Sequence, residues 1–285
     1  MRALITGGGG QLGRDLLAAL EGHDARAASR AELDVTDVGA VFEAVGSFRP
    51  DAVVHAAALT DTARCEREPD LAYEMNALGA RNVAVACGRS GSAMVYVSTN
   101  EVFDGEQSTP YAEMDQARPL NAYGRSKLAG ERLVRELLPQ HYIARTAWLY
   151  GRGGNHFAAK VLAAAERGEV TGVVDEVATP TSTRDLAGAL ARLIQTGVYG
   201  VYHLTNAGQA SRYEWARETL RLAGKAGVPL RPVTTAEYRV SLAAGGVAPR
   251  KPPYSVLRNL AGASLGIELR PWQEALAAYF SEPND

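Results

Sequence analysis

Tyr123 and Lys127 stand four residues apart in Tyr123-Gly124-Arg125-Ser126-Lys127, a spacing that sets both on one face of a helix. A phenol has an ordinary pKa near 10, too high to exchange protons readily at neutral pH. A cation beside it favours the phenolate. The pair therefore suits a proton donor that serves a carbonyl oxygen while hydride reaches the carbon. About 25 residues earlier, Val95-Tyr96-Val97-Ser98-Thr99 reads as a strand ending in two hydroxyls, which could hydrogen-bond the same carbonyl. A third motif opens the chain: Arg2–Thr6 reads as a short buried strand, then come Gly7-Gly8-Gly9-Gly10 and Gln11-Leu12-Gly13. Gly7, Gly10 and Gly13 follow the logic of a dinucleotide-binding turn. Gly7 turns sharply, Gly10 admits a pyrophosphate to the backbone, and Gly13 lets the helix pack closely. The helix start at Gln11 and Leu12 offers free N–H groups and a positive dipole end to the anion.

These motifs need a frame that brings strand ends together. Strand-like runs recur at about 2–6, 25–29, 51–57, 93–98 and 141–148, with helical stretches at about 11–21, 37–47, 70–90 and 121–138. Alternation of nearly all-apolar strands with helices predicts an α/β fold with a doubly wound parallel sheet. Ligands then sit at the carboxyl ends of the strands, and the fourth, at 93–98, borders the cofactor cleft. Residues 1–150 read as a Rossmann-type dinucleotide-binding domain. Past 150 helices are expected at about 155–168, 183–196, 211–226 and 271–281, with a strand pair around 171–178 and 200–204. Prolines and glycines crowd 245–254. The expectation is a smaller substrate lobe over 151–285, interleaved with late sheet elements near 170–205.

Composition narrows the partners. The chain sets 30 Lys and Arg against 32 Asp and Glu, without the basic footprint of a nucleic-acid binder or the polybasic clusters of a membrane-surface protein. No apolar run nears the roughly 20 residues that span a bilayer, and no charged-then-apolar leader is read. Cys65 and Cys87 cannot build a disulfide framework or a four-cysteine zinc site. A cytoplasmic protein is expected, with no metal and no nucleic-acid or membrane partner. His55, at the end of a buried strand, reads as structural.

The glycine turn, the strand-end hydroxyls and Tyr-x-x-x-Lys, in that order, resemble the extended short-chain dehydrogenase/reductase superfamily, and within it the dTDP-4-dehydrorhamnose reductase family. The likeness covers nearly the whole chain. It includes Leu33-Asp34-Val35-Thr36-Asp37, Val53-Val54-His55-Ala56-Ala57-Ala58, Asn76, Val102-Phe103-Asp104-Gly105, Arg145-Thr146-Ala147-Trp148, Asn155 with Phe157, and Pro252-Pro253-Tyr254. The resemblance implies NADPH-dependent reduction of the C4 keto group of a dTDP-4-keto-6-deoxy sugar in nucleotide-sugar biosynthesis. It implies Tyr123 as general acid, Lys127 on the cofactor ribose, and Thr99 polarising the carbonyl. It places Ala56, Ala57, Ala58 and Asn76 at the cofactor trough and Asp34 near the adenine. Arg145, Thr146 and Trp148 fall at the nicotinamide and sugar.

Three departures from the family pattern touch the substrate, one of them after Ala58, where Leu59-Thr60-Asp61-Thr62-Ala63-Arg64-Cys65-Glu66 stands for the family's His-Thr-x-Val-Asp-x-x-Glu and lacks its apolar-acid pair. Where the family reads Ser-Thr-Asp-Tyr-Val-Phe, this chain reads Ser98-Thr99-Asn100-Glu101-Val102-Phe103, and Lys251 replaces an arginine before Pro252. Asn100, Glu101 and Lys251 are expected at the substrate, Lys251 keeping a charge for the diphosphate without arginine's fork; the exact sugar is left open. An acid at the end of the second strand would take the ribose 2′-OH and select NAD. The chain has Ala27-Ala28-Ser29-Arg30 there, so Ser29 and Arg30 are expected to hold a 2′-phosphate and NADPH is favoured, with NADH left open. A sugar-nucleotide epimerase or dehydratase, a non-catalytic dinucleotide-binding regulatory subunit, and a homodimer also stay open.

Overall fold

The computed structural model describes residues 1–242 and 248–281. Six parallel strands form the central sheet: β1 (Arg2–Thr6), β2 (Asp24–Ala28), β3 (Ala52–His55), β4 (Ala93–Thr99), β5 (His141–Thr146) and β6 (Gly200–His203). Their spatial order is β2-β1-β3-β4-β5-β6. The direction of winding reverses between β1 and β3, so the loops leaving these strands diverge and open a cleft at their carboxyl ends. Register brings Ala28, Thr6 and His55 level at one end of the cleft, and Thr99 level with Thr146 at the other.

Side chains alternate across the sheet, so each strand feeds two cores. Ala3, Ile5, Val54, Val95 and Tyr142 pack against α1 (Gln11–Ala19) and the helix Thr183–Leu193 through Leu12, Leu16, Leu186 and Leu190. Leu4, Val53, Met94, Tyr96 and Ile143 face the opposite layer, where Val41, Val45, Val83 and Val134 come from three helices: α2 (Val38–Phe48), α3 (Gly79–Ser90) and α4 (Ala122–Leu137). Asp37 caps α2 by accepting from the amides of Gly39 and Ala40. The stretch expected as one helix over 70–90 begins at Pro69 and holds a π-helical turn over Glu74–Leu78 before α3. Cys65 and Cys87 are free and buried; burial pushes their thiols up to about 11 and about 12, which leaves them unreactive.

The later elements depart from expectation in one respect. The segments near 171–178 and 200–204 do not pair with each other. Val170–Val173 pairs in parallel with Leu230–Val233, while β6 extends the main sheet beside β5. Both runs are apolar, and strand pairing is a long-range choice that neither run encodes alone. Beyond β5 the backbone bends at Trp148, a non-glycine residue at φ +44°. Such a conformation costs about 1–3 kcal/mol and persists where surrounding packing fixes it. Trp148, Tyr150, Phe157, Trp215 and Trp272 make an aromatic core among the later elements. The 245–254 stretch lies partly outside the described residues.

Candidate active site

A cavity of about 1040 Å³ runs along the carboxyl ends of the strands and on to later elements at Thr171, Glu176 and Arg212. That is at the upper end of the roughly 300–1,000 Å³ typical of small-molecule sites. The site residues expected from the sequence line it, except Ser29, Asn76 and Arg145.

At one end lies the glycine turn. Gly7 adopts φ +74°, and a Cβ there would stand 2.7 Å from the Ala57 nitrogen. Gly13 is needed for a reason slightly different from that expected: its Cβ would meet the turn's own backbone, 2.6 Å from the Gly7 oxygen, rather than the strand. A Cβ on Gly10 would meet only the Gly7 oxygen, at 3.3 Å. Gly10 is also the N-cap of α1, and no side chain caps it. The first-turn amides are thus bare beside open space, an arrangement that fits a pyrophosphate. Ala56, Ala57 and Ala58 form the facing wall. Arg30 lines the cavity with its head largely exposed, 3.7 Å from Asp34. Ser29 does not share the wall: its amide is tied to the Glu32 carboxylate at 2.7 Å. The hydrogen bonds of Thr36 to Asp34, with help from Arg30, hold that carboxyl below its ordinary range.

Asn76 sits behind the wall, wholly buried. Its side chain accepts from the Leu59 amide at 2.8 Å and donates to the Leu59 carbonyl and the Ser126 hydroxyl. It braces the strand exit against α4 without facing the cavity. It comes from the π-helical turn, whose carbonyl at Asn76 also accepts from the Tyr96 hydroxyl.

At mid-cavity α4 presents Tyr123 and Lys127. Asn121 caps this helix by accepting from the Gly124 amide at 2.8 Å, and the Glu66 carboxylate takes the Ala122 amide at 2.9 Å. Tyr123 sits in the first turn and lines the cavity with Thr99, from the end of β4. Burial raises the Tyr123 pKa, the Glu101 charge raises it further, and the Thr99 hydroxyl opposes both. Lys127 lies one turn on, 1% exposed, with its ammonium 4.0 Å over the Tyr96 ring. Burial lowers its pKa to about 7, against the pull of Glu131. The expectation that Lys127 draws Tyr123 toward the phenolate therefore fails for the protein alone: burial penalises both charged forms. Tyr123 is held protonated, which is the form a proton donor needs.

Five expected polar residues are engaged with partners in this chain. Ser98 donates to Glu131 at 2.6 Å, and Glu131 forms a bidentate pair with Arg145 at 2.9 and 2.7 Å. Ser98 and Arg145 are thereby fixed in a buried structural network, leaving Thr99 as the strand-end hydroxyl on the cavity, where it accepts from the Glu101 amide at 3.2 Å and donates to the Asn100 side chain at 3.3 Å. Thr146 is buried on the cavity wall, its hydroxyl without a partner. Asn100 donates to the Ser255 hydroxyl at 2.7 Å. Glu101 closes on Lys251 at 2.6 Å and accepts from Asn121 at 2.7 Å. Lys251 is therefore neutralised by this chain's own carboxylate rather than presented alone. His55 is fully buried against Thr6 at 2.7 Å, and burial, then the nearby Lys127 charge, lowers its pKa to about 3. It is structural and neutral.

Sequence reasoning missed Glu176 and Arg212, which line the far end beside Trp148. The one signal near Arg212 was the Ser211-x-x-Glu214 capping box, present as a reciprocal pair. It marks a helix start but not which way Arg212 points. Among the described residues no group of three or more His, Cys, Asp or Glu gathers in a metal-holding arrangement. Nor, among them, is any helix long and apolar enough to cross a membrane.

Known proteins match along the whole chain. The family described as the RmlD substrate binding domain matches residues 1–284. A dTDP-4-dehydrorhamnose reductase from Streptomyces griseus is 42% identical over 289 residues, covering 98% of this chain and 93% of that protein. A dTDP-4-keto-6-deoxy-D-glucose reductase from Streptomyces niveus is 40% identical, with 98% and 96% covered. The crystal structure of the Bacillus anthracis dTDP-4-dehydrorhamnose reductase in complex with NADP superposes with a TM-score of 0.93 at 38% identity, covering 99% of both chains.

Proposed function

Because the chain belongs to the RmlD substrate binding domain family, we propose that it is an NADPH-dependent oxidoreductase that reduces the C4 keto group of a dTDP-4-keto-6-deoxy sugar, as in dTDP-rhamnose formation. One observation carries the reading: Thr99, Tyr123 and Lys127 line the same cavity as an uncapped, glycine-opened helix start. NADPH, when bound, supplies the hydride. The bare amides of α1 hold its pyrophosphate, and Arg30 takes the 2′-phosphate. Thr99 and the Tyr123 hydroxyl both bond the C4 oxygen, and Tyr123 gives it a proton as charge develops there. Lys127 bonds the cofactor ribose and stabilises the phenolate left behind. The sheet domain serves the cofactor and the later lobe the sugar nucleotide, and a cytoplasmic location is in keeping with such a biosynthetic role.

The test is to mix the protein with NADPH and dTDP-4-dehydrorhamnose and follow absorbance with product analysis. Stoichiometric loss of NADPH with a reduced sugar supports the proposal. Sugar isomerisation without net NADPH loss would instead identify an epimerase.

A further inference from the structure

Past Tyr123 the cavity wall carries two ion pairs of unlike quality. Glu101 and Lys251 are in contact at 2.6 Å, and Asn121 satisfies the second carboxylate oxygen. Arg212 is less well served. Its side chain retains 20% of its surface, and its guanidinium carbon lies 3.6 Å over the Trp148 ring and 5.0 Å from the Phe157 ring. Glu176 stands 3.9 Å away, an ion-pair distance but too long for a hydrogen bond. Among the described residues no hydrogen bond reaches the guanidinium. Burial is strong enough to lower the Arg212 pKa to about 10 and to raise that of Glu176.

A guanidinium offers five donors in a rigid plane, and leaving them desolvated and unbonded is costly. Here the plane is held against an indole that is itself fixed in a left-handed backbone conformation. An oxyanion with paired oxygens completes this arrangement. Glu176 holds the cation in the free protein without occupying its donors, so it yields to a bidentate acceptor. Lys251, given that role from the sequence, is already neutralised by Glu101.

We infer that Arg212 binds the diphosphate of the nucleotide sugar, with Trp148 holding its guanidinium in place. The inference rests on the nucleotide-sugar reading above. It is tested by titration calorimetry of dTDP and of thymidine into the wild-type protein, Arg212→Met and Arg212→Lys, with NADPH binding as control. The Met variant should lose about 10- to 100-fold in dTDP affinity, the value of charge-assisted hydrogen bonds. Thymidine and NADPH should bind as before, and Lys should restore part of the loss. If the Met variant fails to fold, the Lys variant still decides, because its point charge lacks the fork and should weaken dTDP alone. An unchanged dTDP Kd would overturn the inference, as would equal losses for dTDP and thymidine, which would mark a packing role. A wild-type protein that binds NADPH but not dTDP would overturn the nucleotide-sugar reading itself.

Discussion

Replacing Lys127 with Met separates what this residue costs the fold from what it gives the chemistry. The side chain is 1% exposed, and its pKa falls from 10.5 to about 7 in the folded protein. Between those values the unfolded chain holds a proton that the folded chain has released. Wild-type stability therefore rises with pH across that window, and the penalty is fully present below about pH 7. At about 1.36 kcal/mol per pH unit, that penalty is roughly 5 kcal/mol. Met is unbranched and apolar and removes it. Met also loses the cation–π contact with Tyr96, worth about 0.5–2 kcal/mol, while Glu131 keeps Arg145 at 2.7 Å. The variant should be more stable than wild type by roughly 1–4 kcal/mol near pH 6, with the gap closing toward about pH 10. Its kcat should fall at least about 100-fold. Reversible urea unfolding of cofactor-free protein at several pH values, with kcat measured in parallel, tests both halves. A variant less stable near pH 6, or a gap independent of pH, would refute the argument that Lys127 is held against its solvation.

Tyr123→Phe should lower kcat by about 10²–10⁴ with the NADPH Kd unchanged, since the ring still packs; near-normal turnover would remove the phenol from the mechanism. Gly10→Val should fold and fail to bind NADPH, whereas Gly13→Val should not reach the native fold, because its Cβ would lie 2.6 Å from the Gly7 oxygen; circular dichroism with NADPH titration separates the two. Glu131→Gln leaves the Arg145 charge, 5% exposed, without its partner and should cost about 3–5 kcal/mol in urea unfolding; a midpoint equal to wild type would show the charge satisfied by other groups. Arg30→Ala should shrink the NADPH-over-NADH preference in kcat/KM by about tenfold at low salt and less at higher salt, because the contact is exposed; an unchanged ratio would place 2′-phosphate recognition elsewhere.

The sheet was legible because period and composition carry it: buried runs such as Ala3–Ile5 and Val53–Val54 admit few alternatives between glycine turns and amphipathic helices. Tyr123, Lys127 and Thr99 were legible because local spacing sets their direction. Glu131 was also within reach, one turn beyond Lys127 on the same helix face, and with it the engagement of Ser98 and Arg145. What the sequence hid depends on distant partners. The pairing of Glu101 with Lys251 joins residues 150 positions apart. The orientation of Arg212 depends on the bend at Trp148, and the pairing of Val170–Val173 with Leu230–Val233 depends on how the second lobe closes. How far burial offsets the Lys127 charge at Tyr123 was hidden, because spacing shows a neighbouring cation but not the burial around it.

Hydride reaches the sugar C4 and the Tyr123 proton reaches its oxygen between the glycine turn and Tyr123. Transfer from NADPH deuterated at the reactive nicotinamide position tests it most directly, with the deuterium located in the sugar by mass spectrometry and NMR. The account predicts one deuterium at C4 per NADPH consumed, and none in the same interval with Tyr123→Phe. Deuterium at another carbon, or sugar turnover with no deuterium gained, would contradict it.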